Sequence, residues 1–429
     1  MATALLLWGL AQHVTQAADP LVVQRLHAFE HERPTGIAIL PDGTILGTTA
    51  GSNVERPGRI FRATPRGWIQ TLAVFEGDLG NDPSGLTPGL DGSLYVTTTF
   101  GSTTLGAVHR IRPNGTRTTL VAFEGPNGAR PWGTLLQASD GTLYGTTTSG
   151  GRDGAGTVFR LHPDRDDFSV LFSFSSPTGS QPLGGLVEAR DGFIYGATSL
   201  GRGVLFHISP TGEYRSLAGL DSVTGYGWCF LAKGSDNTLV GTCQAGGTAD
   251  LGTFFRVGTD DRIGTVVSFS REIGSFPMGV LQDPDGAFIG VCRDGGPAGH
   301  GTVFRVDPAA GLQRLASFDT YVGSQPARLV RAPDGYYYGI ASRGGDRDSG
   351  TLFRLVGRPK LTTRRSPDGS WIATWNAIPG TTYRLERSEA AAGTVWESVD
   401  EITARDDAVE IRQRFLASRS GFFRVRLLP

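Results

Sequence analysis

Seven Asp-Gly-type turns recur along the chain at an almost constant spacing. They lie at Asp42-Gly43, Asp91-Gly92, Asp140-Gly141, Asp191-Gly192, Asp236-Asn237, Asp285-Gly286 and Asp334-Gly335. The intervals between the Asp positions are 49, 49, 51, 45, 49 and 49 residues. A period near fifty with similar flanking segments is typical of β-propellers, in which each repeat supplies one four-stranded blade. The period therefore predicts an all-β fold, a seven-bladed propeller.

The composition is that of a folded, turn-rich protein. The 429 residues include 62 glycines, about twice the usual share of roughly 7%. The net charge is −1, so we expect neither a nucleic-acid partner nor a charged tail. The length allows two or three domains with a large core.

Residues 1–18 have the features of a secretory signal. The apolar run Ala4–Ala11 precedes Thr15-Gln16-Ala17, which offers small residues at the two positions that a signal peptidase reads. The segment contains no Lys or Arg, so a disordered N-terminus is the alternative. No other stretch approaches the roughly 18–20 apolar residues that a membrane span needs. We therefore expect a secreted or cell-envelope protein with no membrane span in the mature chain.

Three cysteines leave at least one thiol without a partner in the chain. Cys243 and Cys292 occupy equivalent positions in neighbouring repeats and should point the same way around a ring, which argues against a bridge between them. Cys229 and Cys243 flank one hairpin, and they face each other only if their register matches. Three buried thiols that pack as small apolar side chains are the alternative.

One copy of the repeat, residues 131–181, shows the predicted strands clearly. They cover 132–138, 142–148, 157–161 and 168–174, and the turn at Asp140-Gly141 joins the first two. Pro opens six of the seven copies and Trp228 opens the other, so the repeats start near 34, 83, 131, 182, 228, 277 and 326. Arg follows an aromatic residue in most third strands, as in Phe159-Arg160. We interpret this recurring Arg as architectural.

The fourth strand of the last repeat comes from the start of the chain. An outer-strand pattern follows only six of the repeats, and the missing copy, Val23–Phe29, lies at the front, where it matches Leu312–Phe318. We therefore predict that the N-terminal strand pairs into the last blade and closes the ring, because closure removes an open sheet edge. The propeller is expected to span residues 19–357.

The repeat consensus points to a known family. It reads roughly Pro-x-Gly-Leu-x-x-x-x-Asp-Gly-x-x-Tyr-Gly-Thr-Thr-x-x-Gly-Gly, followed by Gly-Thr-Val-Phe-Arg-Leu, and it resembles the GloVer tandem repeats of exported bacterial proteins. The resemblance covers residues 20–357 and is strongest in the third, sixth and seventh copies. It implies a surface or secreted repeat protein, and it carries over no catalytic residues.

The period stops after a linker at residues 357–360. Alternating segments predict strands at 371–376, 382–388, 395–399, 408–411 and 422–427, which suit a small β-sandwich over 358–429. The segments around Trp375, Tyr383 and Phe422-Phe423 resemble a fibronectin type III-like (Ig-like) module found at the ends of exported bacterial proteins. That resemblance implies adhesion or spacing.

A ligand site is expected on one face of the propeller. Loops after the second and fourth strands share this face, which we call the loop face, and the Asp-Gly turns lie on the opposite turn face. Candidate binding residues are Arg152, Asp153, Asp250, His300, Asp346, Arg347 and Asp348 in loops, and Trp132, Tyr226, Trp228 and Tyr321 where inner strands begin. Such aromatic residues suit stacking on sugar rings, and packing over the channel is the alternative.

Motifs for catalysis and metal binding are missing from the sequence. The acids at 346–348 and the pair Asp78 and Asp82 lack the ligand spacing of a calcium loop. The seven histidines do not cluster, and neither a nucleophile elbow nor a paired-cysteine metal motif occurs. We therefore expect no metal, cofactor or catalytic residue.

Two functions stay open at this point. The first is an exported or cell-surface binding or scaffold protein, whose ligand is an extracellular polysaccharide or another surface protein. The alternative is a propeller-type polysaccharide lyase or glycoside hydrolase, since the fold supports both. An enzyme should gather carboxylates, Tyr or His near the axis on one or two divergent repeats. The fourth and fifth repeats diverge most but gain no acid–base pair, which favours binding.

Overall fold

A computed structural model describes residues 20–429, except for 52–56, 76–81, 102–103, 166, 190–191, 201–202, 259, 308–309, 367–370, 379–380, 389–395, 406–407, 414–421 and 428–429. The expected leader at 1–18, Asp78 and the turn residue Asp191 lie outside the described residues. Across the described ranges, the regular structure consists of strands alone, so the all-β prediction is confirmed. The chain divides into a unit of residues 25–356 and a unit of residues 1–24 with 357–429.

The described part of the larger unit contains seven four-stranded sheets, which we number along the chain. The first strand, β1 (Leu21–Ala28), belongs to sheet 7. Sheet 1 consists of β2 (Arg33–Ile39), β3 (Ile45–Ala50), β4 (Gly58–Ala63) and β5 (Ile69–Phe75). Sheet 2 consists of β6 (Pro83–Pro88), β7 (Leu94–Thr98), β8 (Ala107–Ile111) and β9 (Arg117–Ala122). Sheet 3 consists of β10 (Leu136–Gln137), β11 (Leu143–Thr147), β12 (Thr157–Leu161) and β13 (Ser169–Ser173).

The remaining sheets follow the same order. Sheet 4 consists of β14 (Val187–Glu188), β15 (Ile194–Ala197), β16 (Val204–Ile208) and β17 (Tyr214–Gly219). Sheet 5 consists of β18 (Tyr226–Lys233), β19 (Leu239–Ala245), β20 (Thr253–Val257) and β21 (Ile263–Ser268). Sheet 6 consists of β22 (Ser275–Gln282), β23 (Phe288–Asp294), β24 (Thr302–Asp307) and β25 (Gly311–Ser317). Sheet 7 consists of β26 (Ser324–Arg331), β27 (Tyr337–Arg343), β28 (Thr351–Gly357) and β1.

The predicted Asp-Gly turns join the first two strands of the sheets. In sheet 1, the Gly43 N–H donates to the Leu40 carbonyl at 2.9 Å, and Asp42 Oδ1 accepts the Thr44 N–H at 2.9 Å. Gly43 has a φ of +85°, so a tight turn is followed by a left-handed glycine that keeps the two strands in register. Asn237 fills the equivalent position in sheet 5 with a φ of +61°.

The first strands of sheets 3 and 4 are shorter than the sequence predicted. The predicted strand at 132–138 is reduced to Leu136–Gln137, and its counterpart in sheet 4 is Val187–Glu188. Both repeats hold one extra residue between the opening Pro and the turn Asp: 140 − 131 = 9, against 42 − 34 = 8 in sheet 1. A strand has a side-chain period of two, so one extra residue breaks the pairing at the strand entry.

Each sheet is joined to the next by a side chain at the end of its outer strand. This side chain lies against the third-strand residue of the following sheet. The ring-centroid distances are 5.7 Å for Phe75–His109, 5.2 Å for Phe123–Phe159, 5.2 Å for Phe174–Phe206, 4.8 Å for Phe269–Phe304, 4.9 Å for Phe318–Phe353 and 5.4 Å for Phe29–Phe61. Leu220 and Phe255 share one core cluster between sheets 4 and 5. Phe29, which follows β1, thus connects sheet 7 to sheet 1.

A contact between glycine and proline repeats at the same junctions. A Cβ atom added to the glycine would lie within 3 Å of the Pro Cδ of the next sheet, so only glycine fits there. The distances from this added Cβ to the Pro Cδ are 2.5 Å for Gly106–Pro131, 2.8 Å for Gly156–Pro182, 2.4 Å for Gly252–Pro277, 2.5 Å for Gly301–Pro326 and 2.7 Å for Gly350–Pro34. The last pair again connects sheet 7 to sheet 1.

The strand β1 occupies the outer position of sheet 7, next to β28. The N–H of Phe29 donates to the Gly350 carbonyl at 2.9 Å, just as the N–H of Phe318 donates to the Gly301 carbonyl at 3.0 Å. The N-terminal strand therefore makes the bond that an outer strand makes in the preceding sheet.

Cys229 and Cys243 lie directly opposite each other on β18 and β19 and form a disulfide. Their register is the one in which both side chains share a face, so the bridged alternative holds for this pair. Cys292 is a free, buried thiol, and burial raises its pKa. It packs as a small apolar side chain among Phe254, Phe269 and Phe304.

The tail unit contains two three-stranded sheets in its described residues. One consists of β29 (Thr362–Arg365), β30 (Trp371–Asn376) and β33 (Ala408–Gln413), and the other of β32 (Glu397–Thr403), β31 (Thr382–Ser388) and β34 (Phe422–Leu427). Trp375, Tyr383, Leu385 and Ile411 are buried in one shared core. The sequence predicted β30, β31, β33 and β34, and it placed β32 too early, at 395–399 instead of Glu397–Thr403. It did not predict β29.

Candidate functional site

Backbone hydrogen bonds assemble the loop face. Loops with a glycine pair follow the second strand of several sheets, and the second glycine donates to the loop that enters the same sheet. The Gly247 N–H donates to the Ser222 carbonyl at 2.8 Å, and the Gly345 N–H donates to the Thr320 carbonyl at 2.8 Å. Both glycines have positive φ, 77° and 75°. The loops after second and fourth strands therefore do contact each other on one face.

Two of the candidate acids on this face stabilise their own loops. Asp250 Oδ1 accepts the Gly246 N–H at 2.8 Å and the Tyr226 hydroxyl at 2.8 Å. The bond from Tyr226, with that from Gly246, lowers the pKa of Asp250. Asp348 Oδ1 accepts the Gly344 N–H at 2.7 Å in the equivalent loop. Both aspartates have left-handed backbones, with φ of 56° and 52°, so the carboxylates hold strained turns in place.

Tyr321 and Asp346 are brought together by Arg25 of β1. The Arg25 Nη1 donates to Asp346 Oδ1 at 2.7 Å, and its Nη2 donates to the Tyr321 hydroxyl at 2.9 Å. The guanidinium also lies 3.9 Å from the centroid of the Tyr321 ring. Arg314, the counterpart of Arg25 in sheet 6, donates to the Glu272 carbonyl at 2.6 Å. The cluster thus fastens the outer strand of sheet 7, and one face of Tyr321 is covered.

Arg25 is a site residue that sequence reasoning missed. The alignment of Val23–Phe29 with Leu312–Phe318 pairs Arg25 with Arg314. This match could have indicated that the two arginines play the same role, which is to contact the loop before a first strand. The partner identities, Tyr321 and Asp346, had no signal in the sequence.

Trp132 and Trp228 are solvent-exposed aromatic side chains near the start of first strands. Trp132 is 45% exposed and Trp228 is 36% exposed. Neither indole makes a hydrogen bond to a described residue. Trp132 follows Pro131, and Trp228 occupies the position of that proline in sheet 5. Two apolar rings are therefore presented to solvent at the same level of the loop face.

Phe276 adds a third open ring that the sequence did not indicate. It is 37% exposed and has a φ of +55°, a conformation rare for a bulky residue. Its N–H donates to the Leu251 carbonyl of the preceding sheet at 3.0 Å, which holds this backbone in place. The guanidinium of Arg293 lies 5.8 Å from the ring centroid.

The remaining candidates do not converge on one point. Arg152, Asp153 and Arg347 are exposed in their loops. His300 is partly buried, and its Nδ1 lies 3.2 Å from Ser324 Oγ. These four residues come from three different loops, and the structure does not assemble them into an acid–base pair.

Buried polar clusters lie instead on the turn face. Arg110 of β8 is only 6% exposed and is paired with Asp91 of its own sheet and with Asp164 of the next sheet, the latter at 2.7 Å. Burial opposes the charge of Asp91, but bonds from Ser93 and Arg110 prevail and lower its pKa to about 2. Here the third-strand Arg connects two sheets, as its recurrence suggested.

Asp283 is the centre of a second cluster between sheets 6 and 7. It accepts from Arg305 at 2.9 Å and from the Tyr337 hydroxyl, and Arg305 also pairs with Asp285 and Asp307. Because every one of these acids has a basic or hydroxyl partner, the cluster is internally satisfied. A cleft of about 300 Å³ also opens on the turn face, and its lining includes none of the predicted site residues.

Within the described residues, no group of three or more His, Cys, Asp or Glu side chains is arranged to hold a metal ion. In the same residues, no helix is long and apolar enough to cross a membrane.

The family model described as the Gloeobacter/Verrucomicrobia repeat matches residues 33–231 and, in a second copy, 203–396. No curated protein gives a match. A gluconolactonase from Xanthomonas campestris is similar in structure, with a TM-score of 0.44 and 15% identity over 80% of this chain and 98% of its own. A puromycin hydrolase has a TM-score of 0.50 and 12% identity over 81% of this chain and 59% of its own length. At such identities, likeness concerns the fold alone.

Proposed function

Because the chain belongs to the Gloeobacter/Verrucomicrobia repeat family, we propose that it is an exported binding protein built on a closed, seven-bladed β-propeller. Its ligand is an extracellular polysaccharide, which it takes up on the loop face. The tail unit acts as a spacer or adhesive module at the cell envelope.

Ring closure is supported by the junction between sheets 7 and 1. The Phe29–Phe61 contact at 5.4 Å and the close approach of Pro34 to Gly350, where an added Cβ would lie 2.7 Å from the Pro Cδ, repeat the arrangement found between other neighbouring sheets. Tyr338 and Ile340 of β27 also share a core cluster with Ile37 of β2. Seven sheets that each pack on the next, with the last on the first, describe a ring.

The exposure of Trp132 and Trp228 carries the proposal for the ligand. Large aromatic side chains on a soluble surface provide rigid contact area at a small entropic cost, and they are enriched where proteins bind ligands. The flat apolar faces of sugar rings stack on such side chains. Trp228 lies in β18, and Trp132 lies shortly before β10. Both are therefore near the loop-face end of a first strand, and the first strands border the proposed axis.

The state of the acids favours binding over hydrolysis or lyase chemistry. A glycosidase needs two carboxyl groups that flank the substrate. On the loop face, Asp250 and Asp348 accept backbone N–H groups of their own loops, and Asp346 is paired with Arg25. These carboxylates are engaged in holding the loops together.

The test is the melting temperature of the full chain against soluble polysaccharides and oligosaccharides, with Ca²⁺ and EDTA as separate conditions. A ligand at about 100 times its dissociation constant stabilises by ~2.7 kcal/mol, which raises the melting temperature by about 3 °C in a chain of this size. The shift should disappear in the Trp132→Ala/Trp228→Ala double variant.

Trp68→Ala is the matched control, because Trp68 is 78% exposed but lies in the turn between the third and fourth strands of sheet 1. It should keep the shift. An equal shift in the double variant would refute the aromatic site, and cleavage of the stabilising polymer would instead identify a lyase or hydrolase.

A further inference from the structure

Arg328 is a basic residue in the first strand of sheet 7 that has no partner among the described residues. It lies in β26, opposite Ile340 of β27. Protein surrounds its side chain, although solvent still reaches part of it. It makes no hydrogen bond or ion pair with any described residue. Burial lowers the pKa of Arg328 from its usual value, and no described acid counters that effect.

The position of Arg328 in the repeat is occupied by glycine in three other sheets. The equivalent residues are Gly36, Gly85 and Gly279 in sheets 1, 2 and 6, and Phe230 in sheet 5. This position faces the start of a neighbouring sheet: a Cβ at Gly85 would lie 2.4 Å from the carbonyl oxygen of Gly133, just before β10. One repeat thus places a long cationic side chain where three others have no side chain at all.

Protein surrounds the Arg328 side chain but solvent reaches part of it, so it bears part of the penalty of several kcal/mol for removing a charge from water. A well-placed anion offsets that penalty. Arg stays protonated under these conditions and keeps five N–H donors in a planar fork. That fork matches the two oxygens of a carboxylate. No described residue supplies that partner, which leaves the fork available to an acidic ligand.

Arg328 lies near the same end of its strand as the exposed aromatic residues of the loop face. Arg328 follows Pro326 by two residues, Trp132 follows Pro131 by one, and Trp228 replaces the proline of its repeat. All three therefore lie near the loop-face end of first strands, which border the axis of the proposed ring.

We propose that Arg328 binds the carboxylate of an acidic saccharide, a uronic acid unit, whose sugar rings contact Trp132 and Trp228. This inference rests on the proposed polysaccharide-binding function and adds a charge requirement to it. It makes Arg328 the residue that selects acidic over neutral polymers.

The first test is calorimetric titration of the full chain with a galacturonic acid oligosaccharide and with its carboxyl-reduced, neutral counterpart. Arg328→Gln should weaken binding of the acidic sugar by about 10- to 100-fold, the range of a hydrogen bond to a charged group. Its affinity for the neutral sugar should not change. Arg331→Gln is the control on the same strand, because Arg331 faces Asp283 on the turn face, 3.9 Å away, and it should bind like the wild type.

The second test separates the anion site from the saccharide function. Sodium acetate, compared with sodium chloride at equal ionic strength, should raise the melting temperature of the wild type but not of Arg328→Met. Without any ligand, Arg328→Met should melt at the same temperature as the wild type or higher, because it removes an unpaired charge.

Each outcome has one meaning. If the acidic sugar binds the wild type and Arg328→Gln equally well, the anion site is refuted and the binding function stands. If no saccharide binds but acetate acts only through Arg328, the polysaccharide function fails and the anion site stands. If neither acetate nor the acidic sugar distinguishes the variants from the wild type, the inference is overturned.

Discussion

Replacing Phe29 by Ala tests whether the N-terminal strand is a full member of sheet 7. Phe29 is 2% exposed and packs on Phe61 with a centroid distance of 5.4 Å. Phe318 is its counterpart in sheet 6, 1% exposed and 4.9 Å from Phe353. Truncation of a buried Phe to Ala costs about 3–5 kcal/mol. Because the two environments match, Phe29→Ala and Phe318→Ala should cost nearly the same.

The cost converts into a measurable change in melting temperature. The larger unit runs from residue 25 to 356, and 356 − 25 + 1 = 332 residues. At about 2.1 cal/mol/K per residue, its unfolding entropy is ~0.7 kcal/mol/K. A loss of 3–5 kcal/mol therefore lowers the melting temperature by roughly 4–7 °C.

Differential scanning calorimetry of the wild type and both variants is the assay. Equal decreases would mean that β1 is held as firmly as an internal outer strand. A decrease for Phe29→Ala of less than a third of that for Phe318→Ala would refute the reasoning, since it would show that the strand detaches before the sheets unfold. Deletion of residues 19–30 should then also be harmless, whereas a closed ring requires it to be severe.

Two further predictions concern other parts of the larger unit. The folded-state pKa of Asp91, about 2, lies below its ordinary value. Its bonds to Ser93 and Arg110 therefore contribute stability that is fully present above about pH 4 and is lost as the pH falls through 2. The difference in melting temperature between the wild type and Asp91→Asn should be largest at pH 6 and should decrease steadily from pH 4 to pH 2. The Cys229–Cys243 disulfide spans 14 residues, so the double Ala variant should lose about 3 kcal/mol of unfolding free energy. The denatured, unreduced wild type should react with one equivalent of a thiol reagent, and a reaction with three equivalents would disprove the bridge.

The sequence predicted those features that depend on local spacing. The turns follow from Asp and Gly at adjacent positions, and the strands at Trp371–Asn376 and Phe422–Leu427 follow from alternation. The short strand Leu136–Gln137 was missed, although the extra residue before Asp140 is visible in the sequence, because a bulge depends on where the chain absorbs the insertion.

Contacts between residues that are distant in the chain could not be predicted from the sequence. The contacts of Arg25 with Tyr321 and Asp346 depend on which loop lies above β1, and no spacing encodes it. The sequence predicted Asp250 and Asp348 as candidate binding residues, and only their hydrogen bonds to the Gly246 and Gly344 N–H groups show that they close their own loops. An unpaired Arg328 is recognisable only after its described neighbours are known.

The position of β1 has a consequence for how this chain matures. The bond from the Phe29 N–H to the Gly350 carbonyl joins residues 321 positions apart, since 350 − 29 = 321. In vectorial synthesis β1 therefore emerges long before its neighbour β28. Until residue 350 has appeared, the partner edge of the final sheet does not exist, and the early sheets form beside an unpaired apolar strand. Pairing of β1 with β28 closes this long loop, so we expect it to be a slow step of folding that leaves β1 exposed to proteases and aggregation until it occurs.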